Sequence, residues 1–311
     1  MKYCYGVDIG GTTVKLGLFT DEGKLIEKWE IVTNTENKGE AILPDVCGTI
    51  KENINKNKLD KSMIIGLGVG IPGPVDKFGR VKSTANLGWD FKDIKLELEE
   101  GLDLPVKVGN DANIAALGEM WVGGGAGYEN LIVITLGTGV GGGIIINGRP
   151  LVGEHGAGGE IGHMRVNMQE ETVCGCGRKG CLEQYASATG IARLARKRLE
   201  KDGAPSLLRE REVSAKSVFD CLKEGDAIAT EIVEEFSGIL GDAIASLCVV
   251  VDPAVVVIGG GVSKAGEILI QYVKKHFEAV AFFANTELKF ALAELGNDAG
   301  IYGGAKLILG E

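Results

Sequence analysis

No apolar run in this chain reaches the length of a membrane span. The most apolar stretches are broken by Gly, Pro or Asp, as at Val251-Asp252-Pro253, whereas a crossing helix needs about 20 consecutive apolar residues. The first residues, MKYCYGVDIGG, hold no apolar segment of the size a secretory signal requires. Positive charge is not in excess either: 33 Lys and Arg face 43 Asp and Glu, for a net charge of −10. That balance excludes a general basic field for a nucleic-acid backbone. A polyanionic small molecule must then be held locally, by backbone N–H groups or a metal ion. A Walker A motif is missing, as is a G-x-G-x-x-G opening a βαβ unit, which counts against P-loop and dinucleotide folds. The expectation is a soluble, cytoplasmic, enzyme-like protein with reduced thiols, binding neither membrane nor nucleic acid.

Glycine is what the chain has in abundance: 48 of 311 residues, about twice the usual share of roughly 7%. No G-X-Y period is present, and the glycines cluster between apolar runs, so they read as tight turns and close backbone approaches. The length suggests two domains at about 150 residues each. Hydrophobic residues are 45% and charged residues 24%, which excludes wholesale disorder.

Strand patterns fall at 2–8, 14–19 and 24–32, and Ile42, Val46, Ile50 and Ile54 give residues 39–56 a helical period. A buried strand at 64–70, a helix near 93–100, a strand at 105–108 and a helix from Asn110-Asp111 to Trp121 follow. Strands at 131–135 and 143–146 then restart the plan. Helical patterns occupy 188–200, 215–223, 226–250 and 265–279, with a buried strand at 255–258. Asp8-Ile9-Gly10 aligns with Thr135-Leu136-Gly137, a weak internal repeat of two glycine-rich hairpins 127 residues apart. Strands alternating with helices predict an α/β protein in two related halves.

Four groups of residues carry chemistry. The first comprises the turns Gly10-Gly11-Thr12-Thr13, after Asp8, and Gly137-Thr138-Gly139. Such turns present consecutive N–H groups to a phosphate, and Asp8 could hold Mg²⁺ through water. A strained β-hairpin is the plainer alternative. Gly259-Gly260-Gly261, between a strand and a helix, suits close packing against a nucleotide. Second, Cys174, Cys176 and Cys181, with His163 upstream, supply a Cys₃His set for a closed, structural zinc site; three unbound thiols are the alternative. Third, Asp111 at a strand-to-helix junction is either a helix N-cap or a general base. Fourth, Glu160 and Glu183 flank the metal set. They are either solvated charges or acceptors for a polyhydroxylated ligand.

Together, the DxGGT start, the GTG turn, the E-x-G-H before C-x-C-G-x-x-G-C-x-E, and the late GGGV resemble the ROK family of sugar kinases. Within that family they are most similar to bacterial ATP-dependent glucokinases. The resemblance runs from Tyr3 to about Gly304. It implies the actin-like ATPase (ribonuclease-H-like) fold, with two α/β domains flanking a cleft. The small domain would comprise 1–110 plus 298–311 and carry the first phosphate hairpin. The large domain, 111–297, would carry the second hairpin, the zinc loop and most sugar contacts. By the same resemblance Asp111 is the catalytic base, and Asn86, Asn110, Glu160, His163 and Glu183 contact the sugar together with it. Asp8, Gly10, Gly11, Thr12, Thr13, Lys15, Gly137, Thr138, Gly139, Gly260 and Gly261 bind ATP and its Mg²⁺. His163, Cys174, Cys176 and Cys181 bind zinc. Glucose 6-phosphorylation is the implied activity, with N-acetylglucosamine, N-acetylmannosamine or fructose as alternative acceptors. The resemblance also implies a homodimer. ROK repressors carry an added N-terminal helix-turn-helix; here the first strand starts at residue 3, so DNA binding is not expected.

Overall fold

The computed structural model describes residues 1–84 and 86–310. Strands β1 (Tyr3–Ile9), β2 (Thr13–Thr20) and β3 (Leu25–Val32) form an antiparallel meander. After the short turn α1 (Glu36–Gly39), α2 (Ile42–Lys56) leads to β4 (Ile64–Ile71), parallel to β1. A small ladder, β5 (Arg80–Val81) with β6 (Lys92–Asp93), precedes α3 (Ile94–Leu102). Then β7 (Val106–Asn110) adds parallel to β4, and α4 (Asp111–Val122) follows directly. The sheet order is β3-β2-β1-β4-β7.

Alternation along β1 assigns its two faces. Tyr5, Val7 and Ile9 join Ile42, Val46 and Ile50 of α2 and Ile94, Leu98 and Leu102 of α3 in one buried core. Cys4 faces the other way, packed with Phe19 and with Ile301, Ala305 and Ile308 of the last helix. The predicted four-residue period of α2 is the row that fills the first core.

The second sheet repeats the plan. β8 (Leu131–Leu136), β9 (Val140–Ile146) and β10 (Arg149–Pro150) are followed, after the helices, by the parallel strands β11 (Val255–Gly259) and β12 (Lys289–Leu292). Its order is β10-β9-β8-β11-β12. Numbered within each sheet, both orders read 3-2-1-4-5, the arrangement of the actin-like ATPase (ribonuclease-H-like) fold. The helices between are α5 (Glu183–Ala186), α6 (Ala188–Lys201), α7 (Ala215–Lys223) and α8 (Ala227–Val251). α8 packs on α6, α7 and α9 (Glu267–Val280). The chain ends in α10 (Ala299–Leu309).

Two compact units result: 1–129 with 143–159 and 295–311, and 130–142 with 160–294. The boundaries drawn from sequence, at 110/111 and 297/298, differ from these for a packing reason. Helix α4 closes against α10 so tightly that a Cβ on Gly118 would lie 2.3 Å from the Ala299 carbonyl oxygen, and one on Gly303 only 1.7 Å from that of Ile114. That contact keeps α4 in the first unit. Strand β12 and helix α10 had no counterpart in the sequence reading. Among the described residues, no helix is long and apolar enough to cross a membrane.

Candidate active site and metal centre

In the first unit the C-terminal ends of three parallel strands align, with Asp8 beside Gly70 and Gly70 beside Gly109. Ligands of open α/β sheets bind beyond such ends. Here β1 runs into the Gly10–Thr13 turn, closed by the Gly10 N–H donating to Thr13 O at 3.0 Å. Thr33, just past β3, braces it: its hydroxyl donates to Gly10 O at 2.6 Å and its N–H to Thr12 O at 2.9 Å. Gly11 and Thr12 stay exposed. A Cβ on Gly11 would meet the Asn86 carbonyl oxygen at 3.3 Å, so the structure brings Asn86 to this turn.

Asp8 points to the α10 side of the sheet, where a Cβ on Gly300 would approach its carboxyl carbon to 2.5 Å. Burial pushes its carboxyl up, against the pull of Lys15, its cross-strand partner. Lys15 itself donates to Asn297 O at 2.9 Å. A carboxylate that is costly to ionise in place is suited to a cation.

At the end of β7 the N-cap role belongs to Asn110, not Asp111. Asn110 Oδ1 accepts the Asn113 N–H at 3.1 Å, and its Nδ2 donates to Gly73 O at 3.1 Å. Asp111 occupies the first helical position, accepting the Ala112 N–H at 2.8 Å. It stands close to the Asp8 row: a Cβ on Gly70 would be 3.6 Å from Asp111 Cα.

In the second unit, four sequence features meet around Val140. The Gly137 N–H donates to Gly139 O at 3.0 Å to close the turn. The start of α6 supports it, Ala188 N–H donating to Gly137 O at 2.8 Å and the Thr189 hydroxyl to Thr138 O at 2.7 Å. Sequence reading missed this brace, although Ser187, whose side chain caps Gly190 N–H at 2.9 Å, is a readable helix-start signal. The E-x-G-H turn lies on Val140, where a Cβ on Gly162 would be 2.1 Å from the Val140 carbonyl oxygen. Glu183 accepts the Val140 N–H at 3.2 Å. The third glycine turn joins them, since a Cβ on Gly260 would be 2.6 Å from the Leu136 carbonyl. Glu160 is exposed, and His163 and Glu183 are half-buried.

Donor atoms of His163, Cys174, Cys176 and Cys181 all lie within 4.8 Å of one another. Cys176 and Cys181 sulfurs are 3.6 Å apart, and Cys174 Sγ is 4.0 Å from His163 Nδ1. A tetrahedral ion with Zn–S near 2.3 Å has ligand–ligand edges of about 3.8 Å, so the set fits a closed metal site. The Arg178 backbone N–H pulls the exposed Cys176 thiol down to about 6, with its guanidinium and the neighbouring thiols adding to the pull. Burial pushes Cys181 up to about 12. Glu183 links this cluster to the turn, accepting from the Cys174 thiol at 3.6 Å through Oε1 while Oε2 holds Val140.

A separate cavity of about 1030 Å³ in the first unit is lined by Lys107, Trp121, Arg149 and Lys306 among others, and contains none of the predicted site residues.

A family model described as the ROK family matches residues 4–311. A glucokinase of Halalkalibacterium halodurans is 44% identical, with 99% of this chain and 95% of that one covered. A glucokinase of Thermotoga maritima is 34% identical, covering 97% and 96%. Among solved structures, a ROK family glucokinase from Streptomyces griseus in complex with glucose and AMPPNP is 33% identical with a TM-score of 0.76, covering 98% of each chain. The motifs, the doubled sheet and a match reaching from the first strand to the last helix agree: the chain belongs to the ROK family.

Proposed function

We propose that this chain transfers the γ-phosphoryl group of ATP to the 6-hydroxyl of glucose. The observation that carries the reading is the 44% identity, over 99% of the chain, to a protein named glucokinase. Phosphoryl transfer depends on positioning and charge stabilisation more than on covalent help from the protein. In this reading the N–H groups of Gly10, Gly11, Thr12 and Thr13 and of Gly137, Thr138 and Gly139 receive the phosphates. Lys15 adds positive charge beside the first turn, and Gly260 and Gly261 lie along the adenosine. Asn86, Asn110, Glu160, His163 and Glu183 bind the sugar hydroxyls. Asp111 takes the proton of the 6-hydroxyl as that oxygen attacks phosphorus in line, a step worth typically 10² to 10⁴ in rate. The cap supports this role, because Asn110 performs the structural duty that would otherwise explain an acid at this junction.

Asp8 would hold Mg²⁺, whose charge offsets that of the phosphates when bound. The zinc ligands would be His163, Cys174, Cys176 and Cys181, and zinc there fixes a loop with no open position for catalysis. With His163 Nδ1 turned toward Cys174, its Nε2 is left to donate to a sugar hydroxyl, in the tautomer the metal sets. A homodimer and a cytoplasmic location belong to the same proposal.

Initial rates with ATP on glucose, N-acetylglucosamine, N-acetylmannosamine and fructose test it. The highest kcat/KM is expected with glucose. A higher value with another of these sugars would move the chain to a different acceptor, and no sugar-dependent ADP release would remove the kinase reading.

A further inference from the structure

The loop that carries the cysteines is held by a residue that is not among them. Gln184 reaches three backbone groups on two arms of the loop. Its Oε1 accepts the N–H of Gly180 at 2.8 Å and of Cys181 at 3.1 Å, and its Nε2 donates to Thr172 O at 2.9 Å. The amide has one workable orientation here, since turning it over would set NH₂ against two donors and oxygen against a carbonyl. Only a side chain with both a donor and an acceptor can close both arms together.

The clasp stands on a fixed base. Arg193 Nε and Nη2 donate to the Gln184 carbonyl at 3.2 and 3.0 Å, and its Nη1 pairs with Glu170 at 2.9 Å. Tyr185 donates its hydroxyl to the same carboxylate, and Asn167 Nδ2 donates to that hydroxyl at 2.8 Å. Burial raises Glu170, but Tyr185, the Thr172 N–H and Arg193 together hold it down to about 2. The clasped arm has no spare room: a Cβ on Gly180 would be 1.8 Å from the Asn167 carbonyl oxygen. The two arms so joined contribute Cys174, two residues past Thr172, and Cys181 itself.

We propose that Gln184 is a positioning residue for the metal centre, holding the Cys174 and Cys181 arms together so that the four ligands stand ready for the ion. The inference rests on the reading of His163, Cys174, Cys176 and Cys181 as a zinc site. Partners behind metal ligands typically change affinity 10- to 100-fold when removed.

The test loads wild-type, Q184M and Q184E chains with zinc and follows its release into a chromogenic chelator, alongside thermal melts of the metal-free forms. Q184M keeps the volume and loses all three bonds, so release about 10- to 100-fold faster is expected, with a loss of metal-free stability much smaller than that change in release. Q184E keeps the two acceptor bonds and is expected to fall between, and it carries the test if Q184M does not fold. Wild-type release rates in the variants overturn the proposal. So does faster release with an equal loss of stability in the metal-free chain, which would assign Gln184 to general stability. A wild-type chain that takes up no zinc refutes the metal-site reading itself, a result distinct from either.

Discussion

Glu183 accepts the backbone N–H of Val140 at 3.2 Å, and with its other oxygen the thiol of Cys174 at 3.6 Å. One carboxylate therefore connects a glycine hairpin with the cysteine cluster. A Cβ on Gly139 would sit 2.3 Å from that carboxylate, so the close approach depends on the hairpin being bare there.

In the proposed zinc site the ion would act beyond its own loop, because a zinc-bound Cys174 thiolate no longer donates to Glu183. Purified protein is expected to contain about one zinc per chain, and Cys176→Ser to lose it. Glucose affinity should fall with the metal, because His163 and Glu183 both change their surroundings. Metal analysis and calorimetric titration with glucose check the pair of outcomes; undiminished glucose binding by a zinc-free chain would break the coupling while leaving the kinase reading intact.

Asp111→Asn keeps the shape of the first turn of α4 and removes the proton acceptor of the proposed reaction. Its kcat is expected to fall about 10²- to 10⁴-fold, with a much smaller change in glucose affinity. Steady-state rates and a separate binding titration distinguish the two. Turnover near wild type would take Asp111 out of the reaction.

In the proposed reaction Asp8 sets activity against stability. Its carboxyl is raised in the folded chain by burial, so the native state holds the proton more tightly than the unfolded state. Its contribution to stability is present below the ordinary carboxyl value of 3.8 and is lost as pH rises through the folded value. Asp8→Asn, which does not ionise, is expected to melt higher than wild type at pH 7, with the difference shrinking toward pH 4. Mg²⁺-dependent turnover should be largely lost in the same variant. Equal melting temperatures across that range would contradict the buried-charge account.

Gly68→Ala places a methyl group 1.9 Å from the Gly304 carbonyl oxygen. Backbone cannot yield as a flexible side chain does, so the change should cost on the order of 3 kcal/mol. That corresponds to a melting temperature roughly 6–12 °C lower. Gly148→Asn is the control: it has a positive φ of 74° but nothing within 4 Å, and should cost far less. Thermal melts of the two variants decide.

The parts of the molecule legible in sequence are those where one local rule acts. The row Ile42, Val46 and Ile50 gave α2 by period alone, and the Cys spacing with His163 pointed to four potential donors that the structure places within 4.8 Å of one another. Asn110 shows the limit. An Asn-Asp pair before a helix marks a cap, but which of the two performs it depends on φ and ψ. Helix α10 was hidden by composition, because Gly300, Gly303 and Gly304 read as turn formers. Their use appears only against Asp8, Ile114 and Gly68, residues far away in the chain. The unit boundaries were hidden with it, and Gln184 had no pattern to betray it.

That last helix sets an order of events at the ribosome. The sheet that begins at residue 3 cannot receive its cover over Cys4, Gly6 and Gly68 until residues 299–309 have been synthesised. Until then its bare face waits, open to chaperones or to other nascent chains. Removing residues 299–309 would thus injure the sheet that starts at residue 3.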